Sequence, residues 1–164
     1  MDEQRRAQND QSAQWQAVID NPYLRDLPFK FELNKWGKIE MSPASNKHGK
    51  MQGEIYSELA KKRNGVVILE CSVQTSNGVR VADVAWLSKA NYTKFGDQTP
   101  YPSAPEICVE IMSPSNSWGE MHMKAGLYLE AGAKEVWIQP VDGERLVIKP
   151  QIPKAVATKT PHKK

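Results

Sequence analysis

The chain has 164 residues, 40% of them hydrophobic and 25% charged, which is the size and composition of one soluble globular domain with a core of its own. No apolar run approaches the ~20 residues that cross a bilayer, and the opening MDEQRRAQND lacks the apolar centre of a secretory signal, so a cytoplasmic protein without a membrane segment is expected. Lys154, Lys159, Lys163 and Lys164 lie in an acid-free tail and outweigh the whole net charge of +3, leaving residues 1–150 at −1. Global charge therefore gives no reason to expect nucleic-acid binding, which would need a local basic groove, with the tail adding nonspecific phosphate contacts. Cys71 and Cys108 each fall inside an apolar run, a pattern of buried reduced thiols rather than of a disulfide framework or a zinc site.

In chain order, residues 1–12 are polar and expected to fray, and residues 12–19, with Trp15, Val18 and Ile19, predict a short helix before Asn21-Pro22. Residues 30–34 and 38–41 read as short strands around a turn at Trp36-Gly37, and Ser42-Pro43 breaks the pattern. Over residues 46–63, His48, Met51, Ile55 and Leu59 recur at helical spacing and define an inward face, closed by Asn64-Gly65. Residues 66–75 and 79–87 flank Ser76-Asn77-Gly78 and predict a hairpin. Residues 88–105, with Gly96, Pro100, Pro102 and Pro105, read as a long loop. A short buried strand over 107–112 stops at Ser113-Pro114. Ser117-Trp118-Gly119-Glu120 has the capping-box pattern and opens a helix to about Glu130, closed by Gly132. Residues 135–139 and 145–149 form a last hairpin around Asp142-Gly143, and from Pro150 the chain is rich in Pro and Lys, with the composition of a disordered tail. This order predicts an α/β (α+β) single domain, a mixed sheet flanked by helices.

Two carboxylates interrupt apolar strands: Asp83 in Val79-Arg80-Val81-Ala82-Asp83-Val84-Ala85-Trp86, and Glu110 in Ile107-Cys108-Val109-Glu110-Ile111-Met112. A buried ionised carboxylate costs several kcal/mol unless a cation or donors compensate it, so each acid needs a partner. A structural Lys or Arg would serve, or a solvent-exposed strand end. A hard divalent ion, Mg2+ or Mn2+, would serve both at once, because it needs only one or two carboxylates beside water and a substrate phosphate. The chemistry that follows is metal-assisted phosphodiester hydrolysis.

Strand alternation puts Asp83 on a face with Val81 and Ala85, and Glu110 with Cys108 and Met112. A metal-dependent nuclease of this layout wants a lysine two residues after the strand glutamate, and here that place holds Met112. Lys124 is the candidate to supply the ammonium from elsewhere, since it shares a stripe with Met121, Leu127, Tyr128 and Ala131 on the capped helix. Its stem could equally snorkel along the apolar face or its ammonium pair with Glu120. Beside the two acids it would neutralise charge on phosphorus or, with a depressed pKa, take a proton from water. His48, at the start of the first inward face, is either a packing residue or a phosphate-facing one. Glu40, at the end of the preceding strand, would orient His48, bind metal through water, or be an ordinary surface acid.

Laid out in order, Gly37-Lys38-Ile39-Glu40-Met41-Ser42-Pro43, His48 and Arg80-Val81-Ala82-Asp83-Val84-Ala85-Trp86 resemble the first half of the restriction-endonuclease-like Uma-two family. Pro105-Glu106-Ile107-Cys108-Val109-Glu110-Ile111-Met112-Ser113-Pro114-Ser115-Asn116-Ser117, Lys124, Tyr128 and Gly132-Ala133-Lys134-Glu135-Val136-Trp137 resemble the second. The resemblance implies a PD-(D/E)XK nuclease-like domain over residues 29–149, preceded by a helical or extended segment (1–28) and followed by the basic tail (150–164). It implies Asp83 and Glu110 as magnesium-binding acids, Lys124 as a lysine moved from strand to helix, and His48 and Glu40 as parts of the N-terminal motif. Ala82 departs from the proline that commonly precedes the family's aspartate, a change of backbone stiffness that removes no ligand. The function expected is a Mg2+- or Mn2+-dependent DNA endonuclease, with a homodimer as a natural way to cut two strands. The alternative is a weakly active or inactive nuclease-fold module that binds nucleic acid or protein, because fold alone does not establish catalysis.

Overall fold

The computed structural model describes residues 2–151; the remainder of the expected basic tail, residues 152–164, lies outside the described residues. The organising element is a long hairpin, β3 (Gly65–Thr75) and β4 (Gly78–Ser88), in register from Gly65↔Ser88 to Thr75↔Gly78. Its turn is fixed locally. Thr75 Oγ1 accepts from the Asn77 N–H and donates to the Gly78 carbonyl, and Gly78 has a φ of 86° in the region that glycine tolerates best. A side chain there is also excluded by space, since a Cβ would come within 1.9 Å of the Leu33 carbonyl oxygen.

Around the hairpin the described chain forms one seven-stranded mixed sheet with four helices. Helix α1 (Asp2–Ile19) leads to β1 (Phe29–Leu33) and β2 (Ile39–Pro43), followed by α2 (Asn46–Leu59) and the hairpin. After it come α3 (Lys89–Phe95), β5 (Ile107–Met112), α4 (Trp118–Glu130), β6 (Glu135–Pro140) and β7 (Leu146–Ile148). The sheet order is β2-β1-β4-β5-β6-β7, with β3 on the other edge of β4; β5 and β6 are parallel and the remaining pairs antiparallel. Strand alternation divides the core between two faces. Ile55 and Leu59 of α2 pack on Val84, Ile107, Val109 and Ile111. Met121, Ala125 and Tyr128 of α4, with Phe95 of α3, pack on Ala85, Leu87, Cys108, Val136 and Ile138. Trp15 of α1 joins Leu33, Val79 and Val81. Cys71 and Cys108 are free and buried, and burial pushes the Cys71 thiol up to about 12.

Four boundaries differ from the sequence reading by more than one residue. Helix α1 begins at Asp2, not near residue 12, because Gln, Arg and Ala favour helix even without an apolar stripe, while buried Trp15 anchors the far end. The stretch 88–105 contains α3, capped where Ser88 Oγ accepts from the Asn91 N–H and held by buried Phe95. Helix α2 stops at Leu59, four residues before the expected end. Strand β2 runs through Pro43, which an edge strand permits because a proline on the open side forfeits no ladder bond.

Candidate active site at a fork in the sheet

On the edge of β4 opposite β3 there are two partners, and they part from each other. Strand β5 pairs at Val84, Ala85 and Trp86, while β1 meets β4 at Leu33↔Val79. Between these contacts β1 and β5 splay, and carboxylates take the place of missing backbone partners. Glu32 Oε1 accepts from the Val81 N–H at 2.9 Å, and Asp83 Oδ2 accepts from the Ile111 N–H at 2.7 Å. The pairing Val84↔Val109, carried one residue further, sets Asp83 opposite Glu110. Asp83 and Glu110 are almost wholly buried, at 1% and 2% exposure.

The cations answer the cost of that burial. Lys30 of β1 places its ammonium 2.8 Å from Asp83 Oδ1 and 3.5 Å from Glu110 Oε2. Lys124 of α4 lies 3.4 Å from the same Glu110 oxygen and 3.0 Å from Glu32 Oε2. Arg80 reaches Glu32 at 3.4 Å and Glu40 at 2.6 Å. Tyr128 donates to Glu110 Oε1 at 2.7 Å, and His48 Nε2 stands 3.3 Å from Asp83 Oδ2. Ser45 caps α2 by accepting from the His48 N–H, which fixes the start of that helix against the fork.

Protonation follows this network. Burial alone would raise the Asp83 pKa, but Lys30 and His48 outweigh it and hold the carboxyl below the usual range. For Glu110 burial wins over the attraction of Lys124 and Lys30, with Asp83 adding repulsion, so its pKa is raised. Burial opposes the charge on Lys124 and on Lys30, yet the neighbouring carboxylates prevail and raise both. His48 is raised chiefly by its hydrogen bond to Asp83, against some loss from burial. In this arrangement Glu110 and Glu32 hold the Lys124 ammonium in its charged form.

Of the five residues singled out in the sequence, the structure brings four together. Asp83, Glu110, Lys124 and His48 line one cleft of about 330 Å3, with Lys30, Gln52 and Glu70. Glu40 stands apart: it accepts from Arg80 Nη1 and Asn34 Nδ2 and contacts neither His48 nor the acid pair. It reaches the fork only through Arg80 and Glu32. Lys124 pairs with Glu32 and Glu110, whereas Glu120 bonds to Asn116.

The sequence reading missed Lys30, Glu32, Gln52 and Glu70. Lys30 and Glu32 alternate with apolar residues in Phe-Lys-Phe-Glu-Leu, where charged positions read as a solvent face. Glu70 lies inside β3 between the pairs Leu69↔Val84 and Cys71↔Ala82, in the left-handed region at φ 51°. Gln52 Nε2 ties its carboxylate, at 2.6 Å, to the Asp83 carbonyl oxygen, at 2.9 Å. Nothing in the sequence signals a left-handed glutamate inside a strand.

The donor set suits a hard cation. Among the described residues no group of three or more His, Cys, Asp or Glu side chains forms a ready metal cage. Asp83 and Glu110 offer oxygen donors beside an open cleft, which is sufficient for an ion of the magnesium type that keeps its waters.

The fold is a single α/β domain, a mixed seven-stranded sheet with four helices. The Uma2 family model, "Putative restriction endonuclease", matches residues 21–156, and the chain belongs to that family. It is similar in structure to a "putative nuclease belonging to DUF820" from Anabaena variabilis ATCC 29413, at 18% identity and a TM-score of 0.53, over 70% of this chain and 74% of that one. That likeness is one of fold. No curated protein matches the chain. No helix among the described residues is long and apolar enough to cross a membrane.

Proposed function

We propose that the protein is a Mg2+- or Mn2+-dependent endonuclease that hydrolyses phosphodiester bonds in DNA. The observation that supports this reading best is the meeting of Asp83 and Glu110 at the strand fork, with two lysines on one Glu110 oxygen and an open cleft in front. Asp83 and Glu110 would hold the metal, which supplies Lewis acidity toward a phosphate oxygen and lowers the pKa of bound water. The Ile111 N–H fixes the Asp83 carboxylate, and Tyr128 fixes that of Glu110, so both are oriented before anything binds. Lys124, charged and held by Glu32, offsets negative charge growing on phosphorus as water adds and the P–O ester bond breaks. His48, on the cleft wall 3.3 Å from Asp83, would meet the departing oxygen or a flanking phosphate. A two-fold pair of such sites would cut both strands of a duplex.

The test is cleavage of duplex, single-stranded and branched DNA by purified protein in Mg2+ or Mn2+, with Asp83→Asn as the control for contaminating nuclease. Metal-dependent products from the wild type alone, abolished by a chelator, support the proposal. Equal activity in wild type and control refutes it, and salt-sensitive DNA binding without cleavage would favour the binding module.

A further inference from the structure

The acids of the fork already have cations of their own. Three buried acids, Glu32, Asp83 and Glu110, face three cationic side chains, Lys30, Arg80 and Lys124. A divalent ion added to Asp83 and Glu110 would meet an ammonium already on the same oxygens, and two cations crowded there in a poorly polarisable interior repel each other. Some cation must give way, and the three are not equally free to move. Arg80 is held by Glu32 and Glu40, and Lys124 has Glu32 as well as Glu110. Among the described residues Lys30 has only Asp83 and Glu110 as ion-pair partners, the same oxygens that a metal would take. Its flexible four-carbon stem lines the open cleft beside Met41, Ser42 and Pro43, so its ammonium can turn outward without crossing the core.

Resting on the endonuclease reading above, we propose that Lys30 is the resident counter-cation of the Asp83–Glu110 pair, displaced by divalent metal onto a phosphate oxygen of the bound nucleic acid. The site then has two lysines with separate duties. Lys124 stays with Glu32 in every state, while Lys30 exchanges carboxylates for phosphate. Metal and phosphodiester bind cooperatively in consequence, because the phosphate gives the displaced ammonium a new partner.

The experiment is calorimetric titration of Mn2+ into the full-length wild type and into Lys30→Met, with and without a noncleavable phosphorothioate oligonucleotide. In its absence Lys30→Met should bind Mn2+ about tenfold more tightly, and the oligonucleotide should tighten metal binding in the wild type by far more than in the variant. Equal or weaker binding by the variant overturns the role of Lys30, even where the wild type binds metal and cuts DNA. Absence of metal binding in both proteins overturns this inference and the endonuclease reading together. Should Lys30→Met fail to fold, the Lys30 ammonium resonance of the wild type, assigned by its loss in Lys30→Arg, gives the same answer. A shift of that signal on adding Mg2+ supports displacement, and an unmoved signal refutes it.

Discussion

The two halves of one edge of β4 are built by opposite rules. At Val84–Trp86 the strand is zipped to β5 by its backbone, and Val84 and Val109 are sealed by Ile55 and Leu59 of α2. A few residues away, at Val81–Asp83, the edge has lost its neighbouring strand, and side chains of Glu32 and Asp83 supply the hydrogen bonds that a strand would have made. The apolar half gains from removing surface from water and tolerates no charge. The charged half holds its acids only because Lys30, Lys124, Arg80 and Tyr128 surround them. A sheet that opens at one point thus acquires fixed carboxylates facing a cleft, while the adjoining apolar pairing keeps the strands from separating further.

The sharpest way to break the comparison is to remove one member from each half. Asp83→Ala leaves the Ile111 N–H without an acceptor and Lys30 with a single partner, which should cost about 3–5 kcal/mol of unfolding free energy. Asp83→Asn keeps an oxygen for the Ile111 N–H and should cost clearly less, yet abolish cleavage as completely. In the apolar half, Ile55→Ala should cost about 2–5 kcal/mol through the cavity it leaves, with cleavage per folded molecule unchanged. Urea denaturation paired with cleavage at a temperature where each variant is folded separates these outcomes. An Asp83→Asn protein that still cuts would dissolve the distinction between the halves.

Glu70→Gly makes a smaller change of opposite sign. Relief of a left-handed glutamate is worth about 1–2 kcal/mol, offset by ~0.4–1 kcal/mol from the freer unfolded chain. A net gain of roughly 0.5–1 kcal/mol follows, visible as a higher urea midpoint. If Glu70→Gly destabilises the protein instead, the Gln52 contact outweighs the backbone cost.

His48 gives a small effect, and its sign is fixed. Its pKa is raised in the folded protein by Asp83, so its contribution is fully present below the unfolded value of about 6.5 and is lost as pH rises through the higher folded value. Relative to His48→Gln, the wild type should lose up to about 1 kcal/mol between slightly acid and mildly alkaline pH. A flat difference across that interval would mean that the ring does not pair with Asp83.

The same contrast governs what could be seen in the sequence. Asp83 and Glu110 were legible because a charge inside a continuous apolar run has no bland place to go, and Lys124 because a lysine on an inward helical stripe needs a partner. Lys30 and Glu32 were not, since alternation in a short strand is the ordinary signature of a half-exposed one, and here the usual polar face is turned into the fork. Glu40 was read toward His48 by proximity in sequence, but antiparallel pairing sets it opposite Glu32 and beside Arg80. The hairpin at Gly78 and the cap at Ser117 were written in local turn chemistry, whereas α3 and the first turns of α1 carry too few apolar residues to announce themselves.

The most direct test of the central claim is a crystal structure of the protein soaked in Mn2+, with data collected at the manganese absorption edge. The account predicts an anomalous peak coordinated by both Asp83 and Glu110 in the fork between β1 and β5. An anomalous peak only elsewhere, or Asp83 and Glu110 still closed on Lys30 at saturating Mn2+, would contradict it.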